Sequence, residues 1–160
     1  MNVAAKKFDG INKYIRITDI DENSSRYKSE NPVSPAGSID DKYLVSENDI
    51  LFARTGASTG KSYLYNHDDG KLYFAGFLIR VKIKSDYNSK FVFNITQTEI
   101  YKKWVRLISM RSGQPGINSQ EFANFKFFLP STKEEQDKVA SFLSIIDKRI
   151  STQNKIIEDL

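Results

Sequence analysis

The sequence contains no cysteine and a single histidine, His67. Without cysteine the chain has no disulfide bond, thiolate nucleophile or cysteine-based zinc site, and this usage is typical of a reducing compartment such as the cytoplasm. A single histidine is too few for a multi-histidine metal site, and it does not support a histidine-based catalytic dyad. We therefore expect no metal ligands and no catalytic residues, and we interpret His67 as a turn residue.

Long apolar runs are also missing. No stretch approaches the roughly 20 residues that span a bilayer, and no signal-peptide pattern opens the chain, so we expect no membrane association. Disorder is not expected either, because 39% of the residues are hydrophobic and they include eleven Phe and eight Tyr. A length of 160 residues suits one domain with an appendage.

Positive charge is unevenly distributed. The net charge is +4, but residues 131–160 hold five Lys/Arg and six Asp/Glu, so residues 1–130 carry +5. Between Arg80 and Arg111 there are eight basic residues against two acidic ones. This pattern predicts a basic body that binds a polyanion and a near-neutral C-terminal segment that contacts protein.

The C-terminal segment is predicted to be one long helix over residues 131–160. Ser131 and Thr132 are each followed three residues later by Glu, a pattern typical of a helix start. Apolar residues then alternate in steps of four and three, with Gln153 in the polar slot, which predicts a coiled-coil seam. The seam consists of Val139, Leu143, Ile146, Ile150, Ile157 and Leu160.

Such a seam needs a cover, because an isolated helix is marginally stable in water. Phe142 and Ile145 widen the apolar stripe in the first half, so we expect that part to dock on the body as well. A partner helix covering the seam is one interpretation. The alternative is a terminal helix folded back on its own domain.

Residues 1–130 mix strand and helix patterns, which predicts an α+β (mixed α/β) body followed by the long coiled-coil-forming helix. Alternating residues with β-forming composition indicate strands, a helical repeat indicates a helix capped by Asn88 or Ser89, and turn-forming residues indicate loops. The predicted strands are Lys13–Ile20, Tyr43–Val45, Asp49–Arg54, Lys71–Lys84 and Phe122–Leu129, the helix is Lys90–Met110, the hairpin turn is Asn66–Gly70, and the long surface loop is Asp21–Asp41.

The Gly-rich stretch Ala53–Ser62 resembles a nucleotide-binding loop but does not fit one. A Walker loop needs Gly five residues before Gly60, and that position holds Thr55. The residues after Ser62 are strand-like, whereas phosphate capture needs a helix N-terminus there. The stretch can still meet phosphates or base edges through its side chains and backbone donors.

Three runs together resemble the DNA-specificity (S) subunits of type I restriction–modification systems. In order, these are Asp49–Ala57 (DILFARTGA), Gly113–Asn118 (GQPGIN) and the run from Leu129 to Gln136 (LPSTKEEQ). The resemblance implies a target recognition domain over 1–130 and a spacer or dimerisation helix over 131–160. Such subunits normally hold two domains and two antiparallel helices, so this chain corresponds to half a subunit, either a fragment or a homodimer.

The resemblance also implies a division of labour. A methyltransferase (modification) subunit would bind S-adenosylmethionine and methylate adenine, while a restriction subunit would hydrolyse ATP with Mg²⁺ and cleave. This chain would be non-catalytic and bind double-stranded DNA. Accordingly, it has no Phe-x-Gly-x-Gly loop, and its nearest match to an Asn-Pro-Pro-Tyr/Phe clamp, Asn31–Ser34, fails at two positions.

Residue chemistry then suggests the DNA contacts. Guanidinium and ammonium groups suit phosphate or guanine, side-chain amides suit adenine, and hydroxyls suit either kind of contact. The candidates are Arg54, Thr55, Ser58, Thr59, Lys61, Arg111, Ser112, Gln114 and Asn118. Alternatively, the Gly-rich motifs could stabilise the backbone conformation or contact phosphate, and residues 26–41 and 62–84 would then determine which bases are recognised. Alternative functions are a coiled-coil adaptor without a DNA role and a nucleotide-dependent enzyme.

Overall fold

The computed structural model describes residues 1–110 and 113–159, and it combines strands and helices with a long C-terminal helix, as the sequence predicts. Within these residues the strands are β1 (Ala5–Lys7), β2 (Lys13–Ile15), β3 (Val33–Pro35), β4 (Asp49–Ala53), β5 (Ser62–Leu64), β6 (Leu72–Phe74) and β7 (Leu78–Lys82). The helices are α1 (Ser89–Ile95), α2 (Glu99–Ser109), α3 (Ser119–Ala123) and α4 (Lys133–Glu158).

Strand β4 is the centre of the body. It pairs antiparallel with β5 on one side and β7 on the other, while β1 pairs antiparallel with β3 and β2 pairs parallel with β6. All five residues of β4 are buried because both faces are covered. Leu51 and Ala53 pack under the N-terminal strands, whereas Ile50 and Phe52 pack against α2 and α3. This burial fixes the point at which the chain leaves β4 for the Gly-rich loop.

The continuous strand predicted over Lys71–Lys84 is wrong, because β6 pairs with β2 while β7 pairs with β4. The chain changes sheets through a turn in which the Leu78 amide donates to the Ala75 carbonyl at 2.9 Å. Phe77 lies in this turn and is 62% exposed. The Asn66–Gly70 hairpin is also wrong, since β5 and β6 lie in different sheets, although His67 does lie in a 3-10 turn.

The strand predicted over Phe122–Leu129 is a helical turn followed by irregular chain. Asn118 and Glu121 cap α3 reciprocally: the Glu121 amide donates to Asn118 Oδ1 at 2.9 Å, and the Asn118 amide donates to Glu121 Oε2 at 2.7 Å. The rings of Phe122 and Phe125 both pack against Trp104, each tilted by 49° from the indole plane. The aromatic spacing in this segment therefore reflects helix packing and not strand alternation.

Other predicted elements are shorter than expected. The helix over 90–110 is two helices, because the Thr96 and Thr98 hydroxyls donate to backbone carbonyls of α1 and Thr98 caps α2. Asn88 caps α1, as predicted. The strand over 13–20 ends at Ile15, and the 21–41 loop includes β3. In place of the strand over 43–45, Tyr43 ends a 3-10 turn and Leu44 forms an isolated bridge.

Helix α4 begins at Lys133, where the Glu135 amide donates to the Thr132 hydroxyl at 3.3 Å. It docks on the body through Gln136 and Ala140, which are 1% and 1% exposed. The first half of the helix docks on the body as predicted, but not through Phe142 and Ile145, which are 64% and 67% exposed. The docked face is set by hydrogen bonding: Gln136 Oε1 accepts from the Asn88 amide at 3.0 Å, and Gln136 Nε2 donates to the Pro130 carbonyl at 3.1 Å.

The remainder of α4 leaves the body. Beyond Ser144, all described residues except Ser151 are exposed. The 26-residue helix is about 39 Å long at about 1.5 Å per residue. Its predicted seam is largely uncovered, with Val139, Ile150 and Ile157 at 41%, 54% and 66% exposure, while Leu160 lies outside the described residues. The folded-back alternative therefore describes only the first part of the helix.

Candidate nucleic-acid interface

The two Gly-rich segments, 54–61 and 113–118, lie side by side. Thr55 and Gly116 form an antiparallel bridge. The Gly56 amide donates to the Pro115 carbonyl at 2.9 Å, and the Ile117 amide donates to the Arg54 carbonyl at 2.9 Å. A Cβ on Gly116 would lie 3.3 Å from the Arg54 carbonyl oxygen, so the close approach favours glycine there. Segments that are distant in sequence thus form one surface at the end of β4.

Internal hydrogen bonds shape the first of these segments, which we call the reading loop (residues 54–61). The Gly60 amide donates to the Ala53 carbonyl at 2.8 Å, and the Lys61 amide donates to the Ser58 carbonyl at 2.9 Å. The Thr59 hydroxyl donates to the Gly56 carbonyl at 2.7 Å, which closes the turn. Thr59 is therefore a structural part of the loop as well as a predicted contact.

Helix α2 supports the reading loop from below. The phenol of Tyr101 donates to the Gly60 carbonyl at 2.7 Å, and burial raises the pKa of Tyr101. Gly60 has φ +86°, and a Cβ there would lie 2.5 Å from Val105 Cγ1. Lys61 leads directly into β5 and not into a helix. The loop consequently has the backbone of a packed turn and lacks the helix N-terminus of a nucleotide-binding loop.

The predicted DNA-contact residues differ in how far their side chains are exposed. Arg54 and Gln114 are exposed, and Thr55 and Ser58 are half-buried in the reading loop and its bridge. Lys61 is turned inward, with a side chain 14% exposed and Nζ donating to the Ile20 carbonyl at 3.3 Å. Asn118 is exposed but uses Oδ1 as the α3 cap. Arg111 and Ser112 lie outside the described residues.

Sequence reasoning missed the residues that face the reading loop across a groove of about 290 Å³. Its walls include Glu22 and Gln97, together with Lys102 and Arg106 of α2. The Glu99 carboxylate forms salt bridges with two basic residues of α2, at 3.3 Å to Lys102 Nζ and 3.6 Å to Arg106 Nη2. Hydrogen bonding to Lys102, reinforced by Arg106, lowers the pKa of Glu99. The excess of basic residues from 80 to 111 was the available signal, but it could not assign them to a groove.

No helix among the described residues is both long and apolar enough to cross a membrane. Likewise, no group of three or more acidic or histidine side chains in the described part of the chain could hold a metal ion.

Comparisons with known proteins agree on the kind of domain. Residues 1–160 match the family model described as the type I restriction modification DNA specificity domain. The type I restriction enzyme MjaVIII specificity subunit of Methanocaldococcus jannaschii is 30% identical over 120 residues, which are 73% of this chain and 26% of that protein. A chain from a structure on complex assembly and conformational transition of the type I R-M system has a TM-score of 0.69 at 16% identity, covering 91% of this chain and 38% of that one. This chain thus spans well under half the length of either protein, and it belongs to the type I restriction modification DNA specificity domain family.

Proposed function

We propose that this chain is the non-catalytic DNA reader of a type I restriction–modification system and recognises one half of a bipartite target. Residues 1–130 would form the recognition domain, and residues 131–160 would form the spacer and dimerisation helix. The observation that carries the proposal is the Thr55–Gly116 bridge, which joins two loops bearing exposed Arg54 and Gln114 into one surface. Guanidinium and amide groups on adjacent loops suit the phosphates and base edges of a major groove.

The helix supports the second half of the proposal. A rod of about 39 Å spans a little more than one DNA turn of about 34–36 Å. Its uncovered seam gives a second copy of the chain a place to pack. Two copies related by a two-fold axis would read inverted half-sites at a fixed gap.

Catalysis would belong to partner subunits in this proposal. A methyltransferase subunit would bind S-adenosylmethionine, and a restriction subunit would bind ATP and Mg²⁺. The reader would position both subunits on double-stranded DNA in the cytoplasm. Co-purification with a candidate methyltransferase subunit tests this part directly.

A mobility-shift titration tests the reading function. The chain should retard duplexes carrying two inverted half-sites more strongly than duplexes with one, and only at a particular gap. Affinity should fall steeply between about 50 and 200 mM salt, because each neutralised phosphate releases counterions. Equal binding to all sequences and all gaps would contradict the proposed DNA-reading function. If the chain retards no DNA at either salt concentration, the adaptor without a DNA role is favoured.

Light scattering tests the spacer. Ile150→Lys on the seam should lower the mass of a dimer to that of a monomer, since a buried charge in a coiled-coil seam is costly. Ile145→Lys is the matched control, because Ile145 is 67% exposed and lies off the seam. Equal effects of the two substitutions would contradict packing through the seam.

A further inference from the structure

The groove beside the reading loop has a cationic character with one exception. Lys61, Lys102 and Arg106 line it, and among its described lining residues Glu22 is the acidic one. The side chain of Glu22 is 76% exposed, whereas that of Lys61 is 14% exposed. A carboxylate on a surface that faces phosphates weakens binding unless it has a hydrogen-bond donor to meet.

The turn that carries Glu22 is fixed to the groove floor. Gln97 Nε2 donates to the hydroxyls of Ser62 and Thr96, both at 2.9 Å. Its Oε1 accepts from the Ser25 hydroxyl at 3.2 Å. All three hydroxyl residues are buried, so a saturated hydrogen-bond network anchors the turn.

Lys61 then orients the carboxylate. Its Nζ donates to Glu22 Oε1 at 3.1 Å while also donating to the Ile20 carbonyl. Glu22 Oε2 makes no hydrogen bond with the described residues and remains available. An ionised carboxylate only accepts hydrogen bonds, and the major groove offers it the amino groups of cytosine N4 and adenine N6.

We propose that Glu22 is a specificity-determining residue that accepts a hydrogen bond from the amino group of adenine or cytosine at one position of the half-site. Lys61 is its positioning residue, and Lys102 and Arg106 contact the flanking phosphates. This inference rests on the proposed function. The competing explanation, that Glu22 only neutralises Lys61, gives no role to Oε2, which makes no hydrogen bond with the described residues.

Selection from a randomised duplex library tests the inference with the full chain, followed by sequencing of the bound DNA. The wild type should favour adenine or cytosine over guanine or thymine at one position by about tenfold, within the range of a good base contact. Glu22→Gln should reduce that preference below about threefold, because a side-chain amide donates as well as accepts. Glu47→Gln makes the same charge change at an exposed residue that does not line the groove and lies outside 26–41 and 62–84, and it should preserve the preference.

The outcomes separate the two proposals. If the wild type selects no consensus, the reading function itself fails. If it selects a consensus and Glu22→Gln leaves every base preference unchanged while raising affinity for all sequences alike, Glu22 is only a charge and the inference is overturned. Glu22→Gln keeps a side-chain oxygen that can accept from Lys61 Nζ, and a cooperative thermal transition of the variant would show that a loss of preference reports recognition and not unfolding.

Discussion

The phenol of Tyr101 donates a hydrogen bond to the carbonyl oxygen of Gly60 at 2.7 Å in a buried site. This bond ties the middle of α2 to the reading loop, so the stability of the body and the shape of the candidate interface depend on the same contact.

Replacing this phenol should destabilise the protein. Tyr101→Phe leaves the Gly60 carbonyl without its partner and should lower the free energy of unfolding by about 1–3 kcal/mol. Chemical denaturation followed by Trp104 fluorescence measures the change. Tyr87→Phe is the control, since Tyr87 is 41% exposed and its hydroxyl makes no hydrogen bond with the described residues. Similar losses in both variants would contradict the assigned role.

Gly60→Ala should lower the free energy of unfolding by more than the unfavourable backbone conformation alone would. A positive φ costs an L-residue about 1–2 kcal/mol, and the added methyl would also overlap Val105 at a cost of about 1–3 kcal/mol. Gly10→Ala isolates the first effect, because Gly10 has φ +89° and a Cβ added there would meet nothing within 4 Å. The difference between the two variants in unfolding free energy measures the overlap. Adding Val105→Ala to Gly60→Ala should restore part of the unfolding free energy that the overlap removes. If the double variant restores none of it, the overlap with Val105 is not the cause.

The docking of α4 can be tested at Gln136. Gln136→Ala leaves the Asn88 amide and the Pro130 carbonyl unpaired in a partly buried site, so it should cost about 1–3 kcal/mol. Asn154→Ala, at an exposed position of the same helix outside the seam, should stay within about 0.5 kcal/mol. Urea denaturation gives both values. If Gln136→Ala is neutral, the helix is not anchored through this amide.

Acid titration should reveal the Tyr63–Asp69 pair, in which Tyr63 donates to the Asp69 carboxylate at 2.5 Å. Burial raises the pKa of Asp69 despite this hydrogen bond. At Asp69 the folded protein therefore binds more protons than the unfolded chain above about pH 4, and the stability that this carboxyl contributes below that pH is lost as pH rises through its raised pKa.

Unfolding free energies measured from acid to neutral pH check this sign. From acid to neutral pH, Asp69→Asn should lose less stability, or gain more, than the wild type, whereas Asp86→Asn at an exposed site should follow the wild type. A pH dependence unchanged in Asp69→Asn would contradict this role of the carboxyl.

Some features follow from the sequence alone because their physical causes are local. Helix hydrogen bonds join residues four apart, so the Thr132 cap and the repeat after it predict α4 to within a few residues. The strand-forming residues after Lys61 likewise argue against a nucleotide-binding loop, and β5 begins there. The motifs that carry the family resemblance are also contiguous in sequence.

Only the tertiary structure decides the rest, because strand partners and side-chain contacts are distant along the chain. Alternating residues over 71–84 predict strand, but the pairing of β6 with β2 and of β7 with β4 splits it. The same long-range packing turns Lys61 inward and docks Gln136 in place of Phe142. Sequence periodicity marks which faces are apolar, whereas the fold determines which of those faces finds a partner.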